Sequence, residues 1–181
     1  MKRFIMTGAP GSGKTSILRA LAGIGYALVE EAATDVIAAG QAQGNAEPWT
    51  DPQFIDQIVW LQRHRQEQPT RAGATAQVYD RSPVGTLALA RYLGHPVTAG
   101  LREALAGVTR AAVFDRRVFF VRPIGFCEPT PARKISYQDS LVFERVHEAE
   151  YLRLGFEIVD IPAGAVGERA AMIDACIRSW A

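Results

Sequence analysis

Two dipeptides of the same chemistry recur in the chain. Asp80-Arg81 closes the run QVYDR, and Asp115-Arg116 stands in VFDRR. An aspartate at a strand end can hold a divalent cation or take a proton, and an arginine beside it can bind phosphate. A third run carries chemistry by its spacing: GAPGSGKT, residues 8–15, matches G-x-x-x-x-G-K-[ST] in full. Gly8, Gly11 and Gly13 let the backbone wrap a phosphate with its N–H groups inward, in conformations a side chain obstructs. Ala9, Pro10 and Ser12 complete the loop. Ser16 continues into a helix whose positive end faces the same phosphates. Lys14 is expected on the β- and γ-phosphates and the Thr15 hydroxyl on Mg²⁺. The pattern predicts a site for ATP and Mg²⁺; no N-K-x-D is evident for guanine.

The elements around these runs alternate. Apolar runs at 3–7, 26–30, 74–80, 117–121 and 156–162 read as strands. Helical spacing follows each: Ile17, Leu21 and Ile24 before Gly25; the Ala-rich 31–42; 51–68 with Asp51 as N-cap and Pro52 first; 82–92; 98–107; 136–154; and the stripe Val166, Ala170, Ile173, Ile177, Trp180. Residues 44–52 and 122–133 read as loops from their Gly, Asn and Pro content. Such alternation predicts an α/β three-layer fold, one domain over 1–181. Its five-stranded parallel sheet would carry helices on both faces.

Strand direction separates the two Asp-Arg pairs. Sites in parallel sheets lie at the carboxyl ends of strands. Asp80 ends its strand and is the candidate Walker B-type metal ligand with Thr15, with Arg81 facing substrate or phosphate. Asp115 precedes a strand and belongs at the opposite edge. Glu30 and Glu31 follow the second strand at the site edge, where a carboxylate could accept a proton from an attacking hydroxyl. Arg133 and Lys134, in a lid segment at about 122–137, could bring cations to a transferring phosphoryl group. Gln57, Trp60 and Arg63 are candidates to line an acceptor cleft. IPAGAVGER could pass near an adenine. His64, His95 and His147 lack ligand spacing and read as surface residues.

Composition narrows the partners. With 20 Lys+Arg against 19 Asp+Glu, the net charge of +1 gives no reason to expect nucleic acid or a membrane surface. Cys127 and Cys176 have no motif spacing, as in a reducing cytoplasm, and no apolar run is long enough to span a bilayer. The partner expected is a small-molecule phosphoryl acceptor; nothing specifies the oligomeric state.

The chain resembles the small AAA-type ATP-binding proteins, related to the NadR-like kinase domain and more distantly to deoxynucleoside kinases. TGAPGSGKT matches the family's G-G-P-G-[SG]-G-K-T. EEAATDVI places Glu31 at the family's glutamate and Thr34 where an arginine is common. VYDRSPVG keeps Asp80 and Arg81 of F-D-R-G-x-P-D but lacks the last aspartate. ARKISYQD keeps Arg133, Ser136 and Tyr137 of the lid, with Ala132 in place of an acid. The resemblance implies a P-loop NTPase fold with the kinase-like strand order 2-3-1-4-5, and a kinase-like phosphotransferase moving the ATP γ-phosphoryl to a small, nucleoside-like acceptor. Lys14, Glu31, Asp80, Arg81, Arg133 and Lys134 would be its catalytic residues. The alternative is an ATP-binding switch read by a protein partner.

Overall fold

A computed structural model describes residues 1–70, 72–110, 113–127 and 135–180. Its sheet holds β1 (Lys2–Thr7), β2 (Ala27–Val29), β3 (Ala76–Asp80), β4 (Arg117–Val121) and β5 (Glu157–Ile161). The strands are parallel and ordered β2-β3-β1-β4-β5, as expected. Met6 pairs with Asp80 and Thr7 with Phe120, so the ends of the central strands meet at one edge.

Alternation along the strands sorts side chains into two layers. Phe4 and Met6 of β1, Val78 of β3 and Phe119 and Val121 of β4 pack toward α1 (Lys14–Gly23) and α7 (Val166–Trp180). Ile5, Tyr79 and Val118 face the other way. They pack with residues of α4 (Pro83–Leu93), α5 (Ala99–Arg110) and α6 (Tyr137–Arg153). Beside that layer, α2 (Ala32–Ala42) and α3 (Phe54–Glu67) close a second apolar cluster through Val36, Phe54, Ile58, Leu87 and Leu101.

Several boundaries follow local chemistry. Gly25 has φ 107°; its N–H reaches Ala22 O and that of Tyr26 reaches Leu21 O. This is the paired closure of a helix by a left-handed residue. It leaves Ile24 outside the helix and 53% exposed, so the expected Ile24 core position is not one. α3 starts at Phe54 rather than at Pro52. Asp51 Oδ1 accepts the Gln53 N–H two residues on, closing a turn before the helix. A short 3-10 helix, Pro48–Thr50, lies in the segment expected as a loop. Ser82 caps α4 by accepting the Val84 N–H, with Pro83 at the first helical position. In α7 the expected stripe holds except at Val166, which is 41% exposed.

Candidate active site

The phosphate loop joins β1 to α1, and its glycines are required by geometry. Gly8, Gly11 and Gly13 have φ of 139°, 82° and 89°. A Cβ on Gly8 would stand 2.3 Å from Val121 O, and one on Gly11 would stand 2.9 Å from Cys127 Sγ. The end of β4 and the segment after it therefore press on the loop. Lys14 is buried, and its Nζ donates to Gly8 O at 3.1 Å and Ala9 O at 3.0 Å. Arg169 of α7, also buried, donates from Nη1 to Ser12 O at 2.7 Å and from Nη2 to Arg122 O at 2.8 Å. It ties the loop to the chain just past the end of β4. Arg169 is the last residue of IPAGAVGER, the segment expected near an adenine, and no spacing marked it for this contact.

A cleft of about 620 Å³ runs from this loop across the carboxyl ends of β2 and β3. Pro10, Gly11, Gly13, Lys14, Thr15 and Ser16 line one end. Glu31, Asp80 and Arg81 line its middle. Gly8, Ala9 and Ser12, also of the loop, are buried and do not line the cleft. The far end is walled by Ile37, Trp49, Phe54, Ile58, Leu89 and Leu93, an apolar surface with Gln62 and Thr86 as a polar pair. Thr86 Oγ1 donates to Gln62 Oε1 at 3.1 Å.

This corrects one expectation about α3. Trp60 is 66% exposed and stacks on His64, Gln57 is exposed, and Arg63 pairs with Glu67 and Glu103. Phe54, Ile58 and Gln62, four residues apart, form the face toward the cleft, whereas 57, 60 and 63 lie on another face. Glu30 is exposed; its backbone oxygen accepts from Arg65 Nη1. Arg133 and Lys134 lie outside the described residues, but Ile124, Phe126, Ile135 and Asp139 on either side of them line the cleft.

Asp80 is buried, and its Oδ1 has no hydrogen-bond partner among the described residues. Burial pushes its carboxyl up to about 6. Lys14 and Arg81 pull the other way, and Glu31 and Glu30 add to the rise. An orphaned carboxylate oxygen on a residue that lines the same cleft as the phosphate loop is a hard oxygen donor, the kind Mg²⁺ takes. The Asp80 carboxylate and the Thr15 hydroxyl thus fit the metal.

Glu31 has the opposite character. Burial raises its carboxyl, but the charges of Arg81 and Lys14 and a hydrogen bond from Thr34 Oγ1 (2.9 Å) outweigh that and hold it below its usual value. Arg81 Nε lies 2.5 Å from Glu31 Oε1. Arg81 itself has φ 72°, alone among the described non-glycine residues. A left-handed arginine costs on the order of 1–3 kcal/mol and persists only where its surroundings fix it. Here the Arg81 N–H donates to Met6 O at 2.9 Å, and Nη1 meets His147 Nε2 at 2.5 Å.

His147 is not a surface residue, as its isolation in the sequence suggested; it is fully buried. Burial pushes its imidazole well below the usual value. The charges of Arg81 and Lys14 add to this, against a hydrogen bond to the Phe143 carbonyl. The signal was present in the spacing: Ser140, Phe143, His147 and Tyr151 form the buried stripe of α6. Asp115 is where strand direction put it, ahead of β4, gripped by Arg117 and away from the cleft.

A parallel sheet in this order, with a glycine-rich phosphate loop after its first strand, defines a P-loop NTPase fold of the kinase type. The AAA domain family model matches residues 3–169, and the chain belongs to that family. Solved structures carry the same fold. Deoxyadenosine kinase from M. mycoides, with products dCMP and a flexible dCDP bound, aligns over 99% of this chain and 100% of its own, at TM-score 0.63 and 11% identity. The same enzyme with bound dCTP aligns at TM-score 0.59 and 12% identity, over 99% and 100%. Shikimate kinase from Acinetobacter baumannii, in complex with shikimate, aligns over 99% and 94%, at TM-score 0.56 and 14% identity. No curated protein matches the sequence. No described helix is long and apolar enough to cross a membrane.

Proposed function

We propose that the protein is an ATP-dependent kinase that moves the γ-phosphoryl to a hydroxyl of a small, nucleoside-like acceptor. The observation that carries this reading is the continuity of the cleft. One end is a phosphate loop, the middle holds Glu31, Asp80 and Arg81, and the far end is an apolar chamber with its own polar pair. A hydrolase activating water has no need of such a chamber. The fold is shared with two kinases, one holding deoxynucleotides and one holding shikimate.

The roles follow from charge and position. The loop N–H groups and Lys14 bind the triphosphate and counter the charge that spreads over the moving phosphoryl. Thr15 and Asp80 would hold Mg²⁺, which supplies further positive charge at the phosphates. Glu31, kept ionised, accepts a hydrogen bond from the acceptor hydroxyl and takes its proton as the new O–P bond forms. The bond from Pγ to the β–γ bridging oxygen breaks, and ADP leaves. Arg81 holds Glu31 in place, and the apolar wall orients the acceptor and limits water; positioning carries most of such a reaction. Arg133 and Lys134 would come over the phosphates from the lid.

The alternative, a nucleotide-driven switch, asks for an exposed apolar patch near 122–137. Phe126 is exposed there, but it lines the cleft, which fits a lid over substrate better. The test is γ-labelled ATP with a panel of nucleosides, sugars and cofactor precursors. Label is expected on a neutral hydroxyl acceptor, and Lys14→Ala is expected to abolish transfer. Nucleotide binding with transfer to none of the panel counts against the kinase.

A further inference from the structure

We propose that His147 is a positioning residue of this site, whose bare Nε2 holds the Arg81 guanidinium beside the Glu31 carboxylate, with Nε 2.5 Å from Glu31 Oε1. The proposal rests on the kinase reading for its catalytic consequence but not for its geometry. Arg81 Nη1 lies 2.5 Å from His147 Nε2, and His147 Nδ1 lies 3.2 Å from Phe143 O. A guanidinium has only donors and a carbonyl only accepts. Both neighbours therefore demand the same state, a neutral ring with its hydrogen on Nδ1 and a lone pair on Nε2. A protonated ring would set two cations in contact.

Phe143, Gly85 and Arg81 bound the ring. Phe143 packs against it edge-on at 4.2 Å between centroids, and the guanidinium carbon lies 5.7 Å from the Phe143 ring. Gly85 of α4 leaves the space for the contact: a Cβ there would stand 3.4 Å from Nε2 and 3.5 Å from Arg81 Cβ. The neighbouring Tyr151 hydroxyl is engaged with Ser82 Oγ at 2.9 Å. His147 does not line the cleft, so it acts through Arg81 and not on substrate. A second carboxylate in this position would compete with Glu31 for the guanidinium. A neutral acceptor fixes the arginine and leaves its charge to Glu31.

The test compares His147→Leu with His147→Gln, whose amide oxygen can stand near the Nε2 position. The Leu variant is expected to lose ~10–100-fold in kcat for phosphoryl transfer, or for ATP hydrolysis where water is the acceptor. Its ATP affinity should stay within ~2-fold, and the Gln variant should recover to within ~3-fold of wild type. Independently of turnover, the Arg81 Nε–H resonance, assigned by its loss in Arg81→Lys, should shift in the Leu variant and return in the Gln variant. An unmoved Arg81 signal, or equal damage in Leu and Gln variants, overturns the proposal. Should wild type turn over no acceptor, the kinase reading falls and the Arg81 signal still decides this one. Should the Leu variant not fold, nitrogen shifts of wild-type His147 decide: a proton on Nε2 refutes it.

Discussion

Asp80-Arg81 and Asp115-Arg116 have the same dipeptide and opposite physics. Asp115 lies just ahead of β4. Its Oδ1 accepts from Arg117 Nε and its Oδ2 from Arg117 Nη2, both at 2.7 Å. Those hydrogen bonds hold its carboxyl below the usual value despite some burial. Asp80 ends β3 with an oxygen that no described group satisfies, and its carboxyl is raised to about 6. The arginines differ as well. Arg116 donates to Leu154 O and lies over the Phe156 ring, whereas Arg81 is buried, left-handed and paired to Glu31. One pair closes a structural contact with what the chain itself supplies. The other is left incomplete at the edge where a phosphate-bound cation would complete it.

The sharpest way to break this contrast is to remove each carboxylate. Asp80→Asn is expected to lower phosphoryl transfer by ~10²–10³-fold, because the carboxylate that lines the cleft beside the phosphate loop loses its charge. Asp115→Asn should leave transfer within ~2-fold, since the residue lies at the far edge of the sheet. Steady-state kinetics on both variants checks the pair. Comparable losses would mean that strand direction does not separate them.

Titration gives the next largest effect, measured as unfolding free energy against pH without nucleotide or Mg²⁺. The folded Asp80 carboxyl lies above its unfolded value of about 4, so between about pH 4 and pH 6 the folded state binds more protons. Its contribution therefore makes stability fall as pH rises through that window, by on the order of 2–3 kcal/mol. Asp80→Asn should abolish that slope and leave the protein more stable than wild type at pH 8. Asp115 works in the other direction. Its stabilisation is full above the unfolded value and is lost as pH falls below about 4. A slope that survives Asp80→Asn would assign it to another group.

The sequence carried much of this. Alternation of runs was enough for a parallel sheet with helices on both faces, whereas its order came with the resemblance, because several orders satisfy the same alternation. Strand direction alone sorted the Asp-Arg pairs, since a parallel sheet brings its strand ends to one edge. The face of α3 was misjudged: Trp60 and Arg63 look functional by type, yet the helix turns Phe54, Ile58 and Gln62 to the cleft. His147 was hidden for the opposite reason. A histidine without ligand spacing carries no motif, and only its place on the buried stripe of α6 gave it away. Arg169 lay in the singled-out IPAGAVGER without a mark of its own, since its partners are backbone oxygens from three separate places in the chain.

Removing the Asp115 carboxylate should register in stability where it does not in turnover. Its side chain is mostly buried and satisfied by one bidentate partner, so Asp115→Asn is expected to cost about 1–2 kcal/mol in denaturant unfolding at pH 7. Asp80→Asn should show the reverse sign under the same conditions. Loss of stability in both variants would mean that the orphaned Asp80 oxygen has a structural partner after all.

The smallest effect isolates the fork itself. Arg117 presents Nε and Nη2 to the two oxygens of Asp115, and its guanidinium carbon stands 3.9 Å from the centre of the Trp180 ring. Arg117→Lys keeps the charge but loses the planar pair of donors and the stacking. Because the group is partly open to solvent, the loss should be about 1 kcal/mol, with turnover unchanged. Arg81→Lys keeps the charge in the same way, yet it should reduce transfer by ~10-fold or more, since Glu31 and His147 are held by two different nitrogens of one rigid group. If the two substitutions behave alike, the guanidinium at 81 is structural, and the left-handed backbone that carries it serves the fold and not the reaction.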